Sequence, residues 1–253
     1  SPGLIGAEWR WVWRHLKAVW LFNEGGGPVH EQILRINKGV LGGSPDWIGS
    51  KYGWVLSFDG TNDFLNCGNN SYLNLTGPDL SIYVMAYFPA TAQRLIFCRG
   101  LYNTDGYYFQ KFAGGGSQNG IELCVNHSGA FRSATSSDGT LSVPGWHRIA
   151  GVLHGTNLMR VYIDEKEPSY YRQNNGFSPA SSTRTAYIGQ YDNNGLRFSG
   201  TISLVAIWDR ALTKAEIIQL GRDPFGPFRM RALWSAKAAA AGGVTFVPRL
   251  MVV

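Results

Sequence analysis

Short runs of β-branched and aromatic residues recur along the middle of the chain, many with alternating faces. In Leu158-Met-Arg-Val-Tyr-Ile163, Leu158, Arg160 and Tyr162 share one side, and Met159, Val161 and Ile163 form a wholly apolar other side. That period of two is the mark of a strand. Comparable runs lie at 54–58, 80–88, 95–99, 107–112, 121–125, 146–153, 185–188 and 201–208. Asp59-Gly60, Asp105-Gly106, Asn119-Gly120, Asp138-Gly139 and Asn194-Gly195 punctuate them, dipeptides that accept the positive φ of tight hairpin turns. Many short strands spaced this way predict an all-β antiparallel sandwich or barrel. One helix interrupts the pattern. Thr213-Lys-Ala-Glu216 reads as a capping box, Leu212, Ile217 and Leu220 form its apolar side, and Gly221 reads as its left-handed stop.

The two ends do not share this pattern. Trp9, Trp11 and Trp13 alternate with Arg10, Val12 and Arg14, which puts three indoles on one face if the segment is extended; a short helix over 10–20 fits the same residues. The last 31 or so residues hold a Pro/Phe turn (Asp223-Pro-Phe-Gly-Pro-Phe228), an Ala-rich piece and a final apolar run at 244–253. The chain is therefore divided into an N-terminal arm (1–17), a β-sandwich (18–222) and a C-terminal docking arm (223–253).

Charge follows the same division. The net +6 lies entirely in the ends: +2 in residues 1–17 and +4 in residues 222–253, which leaves 18–221 neutral. A neutral body with basic ends does not read as a nucleic-acid binder, and no reader motif is present. No apolar run is long enough to span a membrane as a helix. The opening twenty residues lack the apolar stretch of a secretory signal. Cys67, Cys98 and Cys124 form no CxxC pair and are too few for a disulfide framework. Buried free thiols is the first reading and a Cys98–Cys124 bridge the second. The sequons at Asn69, Asn74 and Asn126 have meaning only in a eukaryotic secretory setting.

Five segments, in order, resemble the laminin-G-like, concanavalin A-like jelly-roll family. They are AVWLFNEG at 18–25, GWVLSFDGTNDF at 53–64, LSIYVMA at 80–86, GWHRIAGVLHG with LMRVYID at 145–164, and FSGTISLVAIWDRAL at 198–212. The resemblance covers about 18–221 and implies an antiparallel two-sheet jelly-roll sandwich with one short helix and extended terminal arms. It also implies a non-enzyme. The Glu-x-Asp-x-x-Glu strand of the glucanase relatives is absent, and Asp164-Glu-Lys-Glu167 falls at the family's hairpin turn. Trp146-His147 is read as structural. Many relatives hold Ca²⁺ at a loop rim, which makes Asn62, Asp63, Asp192 and Asn193 the oxygen candidates; Ser203-Leu204 departs from the acidic pair that relatives carry there. Sugar recognition would use exposed aromatics, with Tyr102, Tyr107, Tyr170, Tyr171 and Tyr191 as candidates.

Two functions follow. The first is a structural protein at a virion or extracellular surface, resembling tailed-phage capsid decoration or tail components. Its arms would engage neighbouring subunits through Trp9, Trp11, Trp13, Phe225, Phe228, Arg229, Arg231, Trp234, Phe246 and Leu250. The second is a carbohydrate-binding or adhesion module, with or without calcium. The fold alone does not choose between them.

Overall fold

A computed structural model describes residues 9–33, 38–89, 94–115, 117–192 and 195–228. The strands are β1 (Leu16–Trp20), β2 (Val29–His30), β3 (Lys38–Gly42), β4 (Asp46–Ser50), β5 (Gly53–Asp59), β6 (Phe64–Asn66), β7 (Asp79–Phe88) and β8 (Arg94–Leu101). They continue with β9 (Asp105–Gly114), β10 (Ser117–His127), β11 (Ala130–Ser136), β12 (Gly145–His154), β13 (Arg160–Ile163), β14 (Tyr170–Gln173), β15 (Tyr187–Ile188) and β16 (Ser199–Trp208), and α1 (Lys214–Arg222) follows. They form two antiparallel sheets. The seven-stranded sheet runs β13-β12-β7-β16-β5-β4, with β1 also paired to β16; the nine-stranded sheet runs β14-β11-β10-β9-β8-β15-β6-β3-β2. The inner faces meet in one apolar core, to which Leu56, Phe58, Val84, Ile149 and Val205 come from the first sheet and Phe97, Tyr107, Phe109, Leu123 and Ile188 from the second. This is the two-sheet sandwich that the pattern predicts.

The strand β16 explains what lies at the ends. It is buried along almost its whole length, so its outward residues need cover as much as its inward ones. A register shift between Ile202 and Leu204 sets the faces: Ile202, Val205 and Ile207 enter the main core, whereas Leu204, Ala206 and Trp208 point out. A second cluster forms on that outer face with Tyr83, Met85 and Ala150 from β7 and β12. Val12, Leu212, Ile217, Leu220 and Phe228 close it, and Trp9, Trp11, Trp13 and Phe225 pack around it.

The N-terminal arm of the sequence reading is therefore corrected over its described part. Residues 9–15 are neither an extended strand nor an α-helix but successive tight turns, closed by Val12 N–H to Trp9 O and Arg14 N–H to Trp11 O, each at 3.1 Å. The segment is tied to the body. Trp208 Nε1 donates to Val12 O at 2.7 Å, Trp11 Nε1 donates to Gln219 Oε1 at 2.9 Å, and the Trp13 ring meets Phe228 edge-on at 5.8 Å. The same holds for Phe225 and Phe228 after α1. Arg229, Arg231, Trp234, Phe246 and Leu250 lie outside the described residues.

The helix has the capping box read from sequence: Glu216 N–H donates to Thr213 Oγ1, and Thr213 N–H donates to the Glu216 carboxylate. Gly221 is not its left-handed stop. The helix continues to Arg222, and the Glu165 side chain occupies the space where a Cβ at 221 would lie, with Oε1 at 1.9 Å. Two turn dipeptides are also reassigned. Asn119-Gly120 lies within β10 beside a register shift, and Asp105-Gly106 opens β9 rather than forming the turn. Gly106 has φ +66°, and a Cβ there would sit 1.9 Å from Arg99 O, so two hairpin backbones approach as closely as only glycine allows.

Candidate functional site

The outer faces of the two sheets differ. That of the seven-stranded sheet is covered over β7, β12 and β16 by residues 9–15, α1 and Phe228; that of the nine-stranded sheet carries an open depression of about 360 Å³, lined by Tyr102, Tyr108, Gln110, Phe112, Glu122, Arg172, Tyr191 and Leu196. Strand register builds it. Gln110 pairs with Glu122, Glu122 with Thr135, and Thr135 with Arg172, so four strands place polar side chains in one cross-strand row. The adjacent row is Cys98, Tyr108, Cys124 and Ser133. Its apolar members join Leu95 and Tyr191 as a buried floor, with Leu101 and Phe131 at the rim.

Glu122 is the centre of the polar row. Gln110 Nε2 donates to its Oε2 at 2.5 Å, Thr135 Oγ1 donates to its Oε1 at 2.8 Å, and Arg172 Nη1 stands 3.8 Å from Oε1. Burial raises its pKa against those hydrogen bonds. It is the one carboxylate among the described lining residues. Above it runs an aromatic ledge. The rings of Tyr102 and Phe131 are 4.8 Å apart, and the Arg172 guanidinium lies over Phe131 at 5.3 Å and over Tyr171 at 5.6 Å. Tyr102 is 47% exposed and Tyr171 43%. Tyr171 reaches this ledge because β14 has a register shift there, with Tyr170 and Arg172 paired to β11 and Tyr171 left between them.

The five tyrosines proposed from sequence therefore separate. Tyr102 and Tyr191 line the depression and Tyr171 flanks it. The Tyr191 hydroxyl accepts the Tyr102 backbone N–H, and its ring meets Tyr108 edge-on at 5.8 Å. Tyr107 is corrected: it is wholly buried in the main core, and its hydroxyl donates to Leu73 O. Tyr170 is corrected too, since it packs against that core and its hydroxyl donates to Glu167. Tyr108, Gln110, Glu122, Phe131 and Arg172 were missed. The alternation in 107–112 carried part of the signal, because Tyr108, Gln110 and Phe112 share the face opposite Tyr107 and Phe109.

The calcium candidates are engaged elsewhere. Asp63 is 3% exposed, and its two oxygens accept the backbone N–H groups of Ser44 at 2.8 Å and Asp59 at 2.9 Å. Asp192 pairs with Arg184. Asn62 is exposed and its backbone carbonyl accepts from Arg197; Asn193 lies outside the described residues. Ser203 donates to Met85 O and Leu204 enters the second cluster. Among the described residues, no group of three His, Cys, Asp or Glu side chains converges as a metal site would.

Two further arrangements bear on chemistry. Ser142, His147 and Asp164, scattered in sequence, do come together. His147 Nδ1 bonds Asp164 Oδ2 at 2.8 Å, but Nε2 bonds the Ser142 backbone carbonyl at 2.6 Å, with the hydroxyl at 3.4 Å. When protonated, an imidazole between two acceptors donates from both nitrogens, and here Nε2 is turned to the Ser142 carbonyl rather than to its hydroxyl. Its pKa is accordingly raised, with burial opposing and the Asp164 and Ser142 bonds prevailing. The cysteines are all buried and free. Cys98 and Cys124 both pair with Tyr108, one on each side, so a whole strand separates them; at about 4.8 Å per strand spacing they are too far apart to bridge.

A model of the concanavalin A-like lectin/glucanases superfamily matches residues 59–218, more than half of the chain. The chain belongs to that superfamily. No curated protein matches it. Among solved structures, the binding domain of botulinum neurotoxin serotype D/C is similar at 11% identity and a TM-score of 0.61, covering 82% of this chain and 52% of its own. The binding domain of Paraclostridial Mosquitocidal Protein 1 is similar at 12% identity and 0.63, covering 83% and 52%. Domain 4 of an extracellular arabinanase from Geobacillus stearothermophilus, solved with arabinotriose, is similar at 13% identity and 0.59, covering 81% of this chain and 98% of its own. The superfamily chain thus spans about half the length of the toxin binding domains and nearly all of the arabinanase domain. At these identities the likeness is one of fold.

Proposed function

We propose that this chain is a non-catalytic carbohydrate-binding module that takes a saccharide on the outer face of its nine-stranded sheet. The observation that carries this reading is the combination found there: the exposed rings of Tyr102 and Tyr171, with half-buried Phe131 between them, bordering a 360 Å³ depression over a row of Gln110, Glu122 and Arg172. Sugar rings present apolar C–H faces to aromatics and hydroxyls to amide, carboxylate and guanidinium groups, and a shallow site with few polar groups fixes their orientation. Glycoside hydrolysis needs two carboxyl groups across one bond. This depression offers Glu122 alone among its described lining residues, already held by two donors. Two neighbours lend support, the arabinanase domain solved with arabinotriose and a botulinum toxin type C structure described as dependent on two gangliosides for cell entry.

A glycan array tests it. The chain should give saturable binding to a defined saccharide class, and Tyr102→Ala should weaken it about 5- to 30-fold, the effect of losing roughly 1–2 kcal/mol of ring contact. A flat array, with and without calcium, refutes the reading.

A further inference from the structure

Arg99 is a buried cation without a counter-charge. It lies on β8 opposite Tyr107, on the core-facing side, and only 2% of its surface is exposed. Nη2 donates to Ser182 O at 3.1 Å; Nε and Nη1 are shut off from solvent and meet no acceptor. Three other arginines in the described fold show the usual arrangement: Arg148 pairs with Glu165, Arg184 with Asp105 and Asp192, and Arg210 with Glu216. No described carboxylate lies within ion-pair distance of Arg99. The Asp105 carboxylate, the acid that acts on it electrostatically, is held by Arg184 Nε at 3.3 Å and Leu101 N–H at 3.1 Å. Outside the described residues the single acidic side chain in the sequence is Glu8.

Burial lowers the Arg99 pKa, but a guanidinium does not relieve its burial by releasing its proton, because arginine stays protonated in proteins. A desolvated charge with unmet donors is strongly unfavourable, and folded proteins remove the penalty by pairing it. The neighbouring backbone is tied down by hydrogen bonds. Asn74 Oδ1 accepts Ser182 N–H, Asn74 Nδ2 donates to Ser181 Oγ, and Gly106 N–H donates to Ala180 O, which holds residues 180–182, and with them the Ser182 carbonyl, against the guanidinium.

We propose that Arg99 anchors a small-anion site at this end of the sandwich, taking a halide or a carboxylate of formate size on Nε and Nη1. The enclosure of Nε and Nη1 excludes larger anions such as sugar acids. The site is separate from the saccharide face, since Arg99 points to the other side of the sheet from Cys98 and Tyr108.

The test is thermal unfolding of the full chain in sodium bromide against sodium gluconate at matched ionic strength, gluconate being too bulky to enter. At a hundredfold excess over its dissociation constant, bromide should raise Tm by about 5–10 °C over gluconate. Arg99→Met should abolish that difference. Equal Tm values in the two salts, or the same bromide gain in the variant, overturns the proposal. Should Arg99→Met fail to fold, bromide-soaked wild-type crystals decide: an anomalous peak within hydrogen-bond reach of Nε or Nη1 supports the site, and water alone there overturns it.

Discussion

Replacing His147 with leucine removes a pin between the start of β12 and the turn that follows β13, and the cost depends on pH in a defined direction. The side chain is nearly buried and makes two charge-assisted contacts, 2.8 Å to Asp164 and 2.6 Å to the Ser142 carbonyl. Such bonds are worth about 1.5–3 kcal/mol each when neither partner is solvated. Asp164 is 39% exposed at its side chain and Ser142 is exposed, so water recovers part of the loss. About 2–3 kcal/mol at mildly acidic pH is therefore expected. His147 has its pKa raised above 6.5, so its contribution is complete below that value and is lost as pH rises through the folded pKa. Asp164 has its pKa lowered below 3.8, against burial, chiefly by the His147 bond; its contribution is present above 3.8 and is lost as pH falls through the folded value. The pair is thus strongest between those two ordinary values. Urea unfolding of wild type and His147→Leu at about pH 5 and about pH 9 reads this directly. The difference between the two proteins should shrink at the higher pH. A difference that is equal at both, or an imidazole that titrates at or below its ordinary value by NMR, refutes the two-acceptor geometry.

Other expectations are simpler. Gly106→Ala forces a side chain to φ +66° and to within 1.9 Å of Arg99 O, so it should cost more than about 3 kcal/mol or prevent folding; a change in urea midpoint within error would contradict the hairpin geometry. Cys67, Cys98 and Cys124 are shielded, and burial pushes the Cys98 thiol up to about 12, so a thiol reagent should modify none until the protein is unfolded. Prompt labelling of the native chain, or a disulfide by mass spectrometry, would count against this. Both Asp63 oxygens accept backbone N–H groups and Asp192 is paired, so neither calcium nor a chelator should move Tm; a calcium-dependent rise would place a ligand set outside these two groups.

Much of the fold was legible because its signals are local. Alternation located the long strands, and the Thr213–Glu216 box located the one helix, since both depend on residues a few positions apart. Gly221 was misread and Gly106 only half read for the opposite reason. The positive φ read for Gly106 is there, at +66°, but its place in β9 against the Arg99 backbone, like that of the Glu165 side chain against Gly221, is set from across the fold. The candidate site was less legible still. Its polar row joins Gln110, Glu122, Thr135 and Arg172, which only strand register brings side by side, and Tyr171 enters it through a bulge. Tyr107 and Tyr108 are equivalent in composition, yet one residue of phase puts the first in the core and the second in the depression.

The same phase argument bears on which surface of the molecule is free. Outward residues of β16 and β7 are apolar, so the seven-stranded sheet is covered over β7, β12 and β16 by residues 9–15, α1 and Phe228; outward residues of β9 and β10 mix tyrosine, amide and carboxylate, and that face stays open. Trp11→Ala tests this division. The indole packs on the second cluster, donates to Gln219 at 2.9 Å and lies under the Arg210 guanidinium at 5.5 Å. Removing a fully buried tryptophan costs about 3–5 kcal/mol, and this one is partly exposed, so about 2–3 kcal/mol is expected with its hydrogen bond included. The variant should unfold at lower urea and bind a hydrophobic dye through the uncovered Leu204, Ala206 and Trp208 face. Its saccharide affinity, set on the opposite sheet, should be unchanged among molecules that remain folded. An arm that served only an external partner would leave the isolated chain's stability untouched, and that outcome would return Trp9, Trp11 and Trp13 to the status of a free interface.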